Sequence, residues 1–544
     1  MTDNPVLVIG LDGATFDLLR PWAQQGILPN LKKLMDASIK LPLMSTVPPI
    51  TGPAWSSFST GKHPGKHGNV DFCIRGDNYS IRTISSRTIQ GKTLWQLLTQ
   101  AQKRICVIDV PITYPPTPVN GVMITGMMTP AVESEFTYPP ELKQTILDKW
   151  PDYALAVPWR DYEGIGIERL IEDLRAVTEQ RADLVLDMLG QEAWDFFMCV
   201  FVGMDRIQHC LWRFMDPQHP TYDVELADQY LPMIKDYYRL QDQVVGRILD
   251  AAPDNANVML MSDHGFGPLW KEVDLNRWLA AEGLLSYASG RQGITSQVWQ
   301  LGRRIAHSLP ALQKMFANGY GKKLKENLWQ ASLSSAVDWR QTKAYCHAHG
   351  GIIINLAGRE TEGIVPTEAY ESLRDELIER LQNLVDPETG QRIIYRAQRR
   401  EEVYQGKAVE LAPDVVVTEA DERYYLGFVS TPNLLTMEET RWKSGYHRYD
   451  GIFIASGPDF GAQTSREEAS IADLMPTILY LLGLPVPQEC DGQVLLDVVA
   501  QPFVGQHEVT YSDEADSDEV ENDLTVDKDE EELLVDRLRS LGYM

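Results

Sequence analysis

Three aspartates and three histidines stand where short apolar runs end. Asp12 follows Val6–Leu11 in Gly10-Leu11-Asp12-Gly13, and Asp205 opens Asp205-Arg206-Ile207-Gln208-His209 after Asp195–Val202. Asp263-His264 follows Val258–Ser262, and His447 lies in Gly445-Tyr446-His447-Arg448, just before Ile452–Ala455. Carboxylates and imidazoles are hard and borderline ligands, and six of them suit a pair of divalent ions such as Zn²⁺ or Mn²⁺. One helical turn separates Asp205 from His209, which puts both side chains on one face. Asp263 and His264 are neighbours, as suits a strand exit that sends adjacent side chains different ways. No cysteine occurs in any of these runs, so an open catalytic site fits better than a structural zinc site. A helix cap or a turn explains any one aspartate; the joint occurrence carries the metal reading.

Another group is Thr51, in Thr51-Gly52-Pro53-Ala54-Trp55. Proline is favoured in the first helical turn, which puts Thr51 at or near a helix start. Unpaired amides and the helix dipole attract anions there. A threonine hydroxyl needs activation before it acts as a nucleophile. Plain N-capping is the other reading of Thr51.

The elements that would position these groups alternate. Besides the strands just given, Ile105–Val110, Ile352–Leu356 and Asp414–Thr418 read as strands, with amphipathic helical stretches between them. Such alternation predicts an α/β fold with a largely parallel central sheet covered by helices on both faces. Ligands bind beyond the carboxyl ends of strands in such sheets, where the six residues fall.

The 544 residues carry 77 acids against 50 bases, a formal charge of −27, with 44% hydrophobic residues. This excludes collagen-like, disordered and disulfide-scaffold classes. The negative balance argues against a nucleic-acid polymer or an anionic membrane as partner. Six scattered cysteines and the lack of any apolar run of ~18 residues point to a cytoplasmic protein without a membrane span.

The charge is uneven. Residues 291–330 hold seven bases against one acid, and residues 508–544 hold 14 acids against three bases. The expected organisation is a core over 1–270 and 345–505, and a basic helical insertion or cap over 271–344. An acidic disordered linker over 506–532 and a short C-terminal helix over 533–544 complete it. The acidic segment is expected to dock on the basic insertion.

The run Thr51-x-Pro53, then Thr60-Gly61, Pro64 and His67-Gly68, resembles the nucleophile motif of type I phosphodiesterases/nucleotide pyrophosphatases, of the alkaline phosphatase superfamily. Asp12, Asp205…His209, Asp263-His264 and His447 follow that family's order, as do Pro476-Thr477 and Asp491-Gly492. The resemblance implies an alkaline-phosphatase-like fold. It implies one ion on Asp205, His209 and His447, and a second on Asp12, Asp263 and His264, with Thr51 beside it. It further implies hydrolysis of a small anionic phosphate ester, most simply a phosphodiester or pyrophosphate, through a phospho-threonine intermediate. Where the family places a phosphoryl-binding Asn, this chain has Phe72. Asn69, Lys62, His347 and His349 are the residues available for substrate contacts. A phosphomonoesterase, a phosphoglycerate-mutase-like phosphotransferase and a non-catalytic binding protein are the alternatives.

Overall fold

The computed structural model describes residues 4–159, 162, 166–288, 337–427, 435–436, 442–513, 533–535, 537–538 and 541. Its central sheet holds β1 (Val6–Leu11), β2 (Ile39–Met44), β3 (Ile105–Ile108), β4 (Gly121–Ile124) and β5 (Thr137–Tyr138). It continues with β6 (Phe196–Phe201), β7 (Asn257–Met261), β8 (Asp450–Ser456) and β9 (Ala469–Ser470). These nine strands lie in the order β9-β2-β8-β7-β1-β6-β3-β4-β5. From β7 through β4 every neighbouring pair is parallel, while β8 runs antiparallel to β7 and β2.

Every residue of β1 is buried, because its two faces feed two cores. Leu7, Ile9 and Leu11 point to one and Val6 and Val8 to the other, so the strand reads as an unbroken apolar run. Each aliphatic side chain so buried contributes ~2 kcal/mol. The principal helices are α1 (Thr51–Thr60), α2 (Ile167–Gln191), α3 (Gly203–Leu211), α4 (Val224–Ala251) and α5 (Leu474–Leu481). Helices α2 and α4 cover the first face, and α1 and α5 the second. Asp223 caps α4 by accepting from the amides of Glu225 and Leu226, a contact worth ~1 kcal/mol. The fold is thus α/β, with a largely parallel sheet between two helical layers. None of the six cysteines is in a disulfide.

Two expected strands go elsewhere. Gly351–Ile354 and Val415–Ala420 join Ala344–Ala348 and Ile394–Arg399 in a separate four-stranded antiparallel sheet. A short buried apolar run does not encode which sheet will bury it. This unit has its own core, from Val273 to Leu426, and so crosses the boundary expected between 344 and 345. Its strand Lys271–Asp274 pairs with Tyr424–Gly427, and helix Leu275–Ala281 follows directly. The basic residues Arg291 to Lys325 of the expected insertion lie outside the described residues, as do 514–532 of the acidic linker. The start of that linker is ordered: Tyr511–Ser512 pairs with Val486–Pro487. Val509 packs on the second core there, and most of the acids come later in the chain.

Candidate active site

Strands β7, β1 and β6 are neighbours, and Asp263, Asp12 and Asp205 follow their carboxyl ends. Side-by-side parallel strands therefore bring together three aspartates distant in sequence. Asp205 enters through α3, whose first residue, Gly203, packs against Tyr237 so closely that a Cβ would lie 1.7 Å from its hydroxyl. His209 comes one turn later on α3. His447 arrives on Gly445–Arg448, which pairs antiparallel with Gly265–Pro268 and sets Phe266 opposite His447. Thr51 is the first residue of α1, after the extended Ile50.

The ligand atoms converge. His447 Nε2 lies 3.1 Å from His209 Nε2 and 3.3 Å from Asp205 Oδ1, and His209 Nε2 lies 3.4 Å from that oxygen. On the other side His264 Nε2 is 3.3 Å from Asp263 Oδ2 and 3.8 Å from Asp12 Oδ1. The rings of His264 and His447 stack with centroids 3.6 Å apart, so the two groups share a wall. Thr51 Oγ1 lies 3.3 Å from His264 Nε2. All seven residues are at most 3% exposed, so water does little to screen their charges.

The opposite end of each group is fixed. Nδ1 of His209, His264 and His447 faces the carbonyl of Gly445, Gly265 and Pro49, at 3.2, 3.0 and 3.1 Å. A carbonyl only accepts, so each Nδ1 carries the proton and each neutral ring turns an Nε2 lone pair inward. One oxygen of each aspartate is likewise tied. Trp55 Nε1 donates to Asp12 Oδ2, Gly13 N to Asp263 Oδ1 and Arg206 Nη1 to Asp205 Oδ2. The other oxygens of Asp12 and Asp263 accept no hydrogen bond among the described residues.

Lone pairs and carboxylate oxygens facing each other this closely repel unless a cation lies between them, so the donor set fits divalent ions. The electrostatics agree. Burial, with Asp263 and Asp205 nearby, pushes the Asp12 carboxyl well above its usual range. Burial also raises Asp263, against the pull of His264. Asp205 is buried too, yet His209 and Arg206 hold it well below the usual range. Burial keeps His447 and His209 neutral below their ordinary values.

An aromatic wall adjoins His447. Tyr446 stacks on it at 4.8 Å, and His349 lies along Tyr446 at 6.3 Å, with Tyr425 edge-on to both. Lys443 Nζ sits 4.4 and 4.6 Å from the ring centres of Tyr425 and Tyr446. His349 Nδ1 is held by Asp71 at 3.0 Å.

His349 thus stands beside the site, while Asn69 and Lys62, also named as available for substrate contacts, make buried contacts of their own. Asn69 is fully buried, its amide donating to Ser56 and accepting from Thr88, so it braces the loop after α1. Lys62 is buried in an ion pair with Glu489 at 2.7 Å, because the loop folds against the C-terminal part of the core. His347 is buried with neither ring nitrogen hydrogen-bonded among the described residues. His67 bonds Ser57 and Thr60 bonds the carbonyl of Ser56, which fixes the same loop. Phe72 packs over Gly52, where a Cβ would lie 3.2 Å from its ring. Sequence reasoning passed over Arg206 and Lys443, although both lie within four residues of a metal-ligand candidate. Asp71 gave no signal, since its partner His349 is 278 residues away.

Residues 6–450, which include all seven groups, match the model of type I phosphodiesterase / nucleotide pyrophosphatase. The chain belongs to this family. As a type I phosphodiesterase/nucleotide pyrophosphatase it is a phosphoric ester hydrolase, of a family acting on phosphodiester and pyrophosphate bonds. Its fold is similar to that of murine ectonucleotide pyrophosphatase / phosphodiesterase 5 (13% identity, 91% of this chain and 100% of that one, TM-score 0.51). The human counterpart gives 14% identity over 92% and 100%, with a TM-score of 0.51. Phosphonoacetate hydrolase from Sinorhizobium meliloti 1021, solved in complex with phosphonoformate, gives 14% over 88% and 95%, with a TM-score of 0.54. Comparison with curated proteins gives no match. No helix among the described residues of this phosphodiesterase family member is long and apolar enough to cross a membrane.

Proposed function

We propose that the protein hydrolyses small phosphodiesters or pyrophosphates in a metal-dependent reaction with Thr51 as nucleophile. One observation carries the reading: inward-facing imidazole and carboxylate atoms 3.1–3.4 Å apart, beside a buried hydroxyl at a helix start. Asp205, His209 and His447 would hold one divalent ion, and Asp12, Asp263 and His264 a second. Three imidazoles in the set favour Zn²⁺, with Mn²⁺ as the other candidate. Such ions, when bound, lower the pKa of hydroxyl and water and neutralise phosphoryl oxygens.

The residues divide the remaining work. Thr51 Oγ forms the new bond to phosphorus as the ester oxygen leaves on the opposite side, and the threonine proton passes to solvent. The phosphoryl group is then an ester of Thr51. Water attacks the same phosphorus, and Thr51 Oγ leaves and regains a proton. The start of α1 presents backbone amides and the positive end of its dipole to the phosphoryl oxygens. Burial of the pocket strengthens each of these interactions.

The test is metal analysis of the purified protein together with a Thr51→Ala variant. Two divalent ions per chain are expected in both. Only the wild type should yield a phosphorylated Thr51 peptide on acid quenching with an aryl phosphodiester. Wild-type turnover by Thr51→Ala would overturn the assignment.

A further inference from the structure

The last described part of the chain returns to the catalytic end of the sheet. Residues 533–535 and 537–538 are helical, and Leu541 N bonds back to Arg537 O at 3.0 Å. Leu534, Val535, Leu538 and Leu541 form one apolar stripe, at most 2% exposed. They share a core with Ile50, Phe72, Ile84 and Met127. Ile50 precedes Thr51, and Phe72 lies on Gly52, so the stripe backs the first turn of α1.

Two contacts run from this segment toward one ligand set. The carbonyl of Leu541 accepts from Trp159 Nε1 at 2.7 Å, and the Trp159 ring lies flat on His209, centroids 5.3 Å apart and 12° from parallel. The carbonyl of Trp159 in turn accepts from Trp442 Nε1 at 3.1 Å. Met127, in the shared core, places its sulfur 3.1 Å from Arg206 Nη2, and Arg206 is the donor to Asp205. The segment therefore touches the supports of His209 and Asp205, and its apolar stripe shares a core with the residues that flank Thr51.

We propose that the segment carrying Leu534, Val535, Leu538 and Leu541 is a positioning element for the site. Docked, it presses Trp159 against His209 and Phe72 against α1, and so raises the affinity of the Asp205/His209/His447 set for its ion. Trp159 is the positioning residue through which Leu541 acts. The inference rests on the reading that this set binds a metal. A ring held flat on a ligating imidazole fixes its direction, and loss of such outer supports costs ~10–100-fold in metal affinity.

The experiment removes residues 533–544 from the full chain and measures Zn²⁺ binding by chelator competition, with His209→Ala marking which binding step belongs to this set. The expected result is ~10–100-fold weaker binding at that step alone, recovered on adding a synthetic peptide of residues 533–544. Equal affinities with and without the segment would overturn the proposal, as would equal weakening of both steps. Should the shortened chain fail to fold, Trp159→Phe decides. It keeps a flat ring but loses the bond to Leu541, so weakening at the same step is expected and an unchanged constant overturns the idea. A wild type that binds no ion would instead overturn the metal reading itself.

Discussion

Arg206 donates to one carboxylate oxygen of Asp205 from 2.8 Å, while the other oxygen faces the Nε2 atoms of His209 and His447. Both side chains are at most 1% exposed. The guanidinium thus orients the carboxylate and offsets its burial without occupying the oxygen turned to the pocket.

Arg206→Ala should therefore weaken ion binding by ~10–100-fold, as removal of an outer hydrogen bond to a ligand does. Arg206→Lys should recover part of the loss, because it restores charge but not the planar fork. Residual metal after dialysis against a graded chelator reads the difference, and an unchanged content in Arg206→Ala would contradict the role.

Chelation should also lower stability. Without ions, the carboxylates of Asp12, Asp205 and Asp263 remain buried with a single guanidinium, that of Arg206, paired to Asp205. An ion present at ~1,000 times its Kd adds ~4 kcal/mol per site. Calorimetry should show Tm falling with EDTA and returning with Zn²⁺; identical Tm values would mean that the pocket does not bind ions.

Gly203→Ala tests how Asp205 is delivered. A Cβ there would meet the Tyr237 hydroxyl, which is held 2.9 Å from Thr178 in a buried contact. Overpacking costs ~1–3 kcal/mol or more, and α3 carries Asp205 and His209. The variant should lose both thermal stability and bound metal, whereas loss of stability with metal intact would show that α3 does not move.

The smaller unit, where Lys271–Asp274 pairs with Tyr424–Gly427, should be acid-sensitive. Asp386 is buried, which opposes its charge, but hydrogen bonds from Lys271 and Tyr424, at 2.7 and 2.6 Å, bring its carboxyl down to about 2. A depressed carboxyl stabilises the fold above its ordinary value of 3.8, and that contribution disappears as pH falls toward about 2. Urea midpoints of the wild type should drop over this window, and those of Asp386→Asn should drop less. Parallel curves would rule the pair out as a source of acid sensitivity.

Much of the site was readable because parallel strands print themselves as apolar runs with a polar residue at the exit. β1 spans Val6–Leu11 as read, and β6 and β7 differ from their readings by a residue at each end. β2 went unread because Ile39–Met44 contains Pro42, a residue rare inside sheets. Strands Gly351–Ile354 and Val415–Ala420 were seen, but not their sheet, since pairing partners are a tertiary matter. The same limit hid Asp71–His349 and the seat of the C-terminal stripe. The buried contacts of Asn69 and Lys62 were equally out of reach, because a polar residue near a nucleophile looks the same whether it faces substrate or braces a loop.

The candidate ligands span the chain from Asp12 to His447, about 435 residues apart. At ~5–20 residues per second, on the order of 20–90 s of synthesis separates the first from the last. A nascent chain can thus gather Asp12, Asp205, Asp263 and their neighbouring imidazoles well before His447 leaves the ribosome. The Asp12, Asp263 and His264 set is therefore complete in sequence before the Asp205, His209 and His447 set, and a prematurely terminated product would carry the first without the last member of the second.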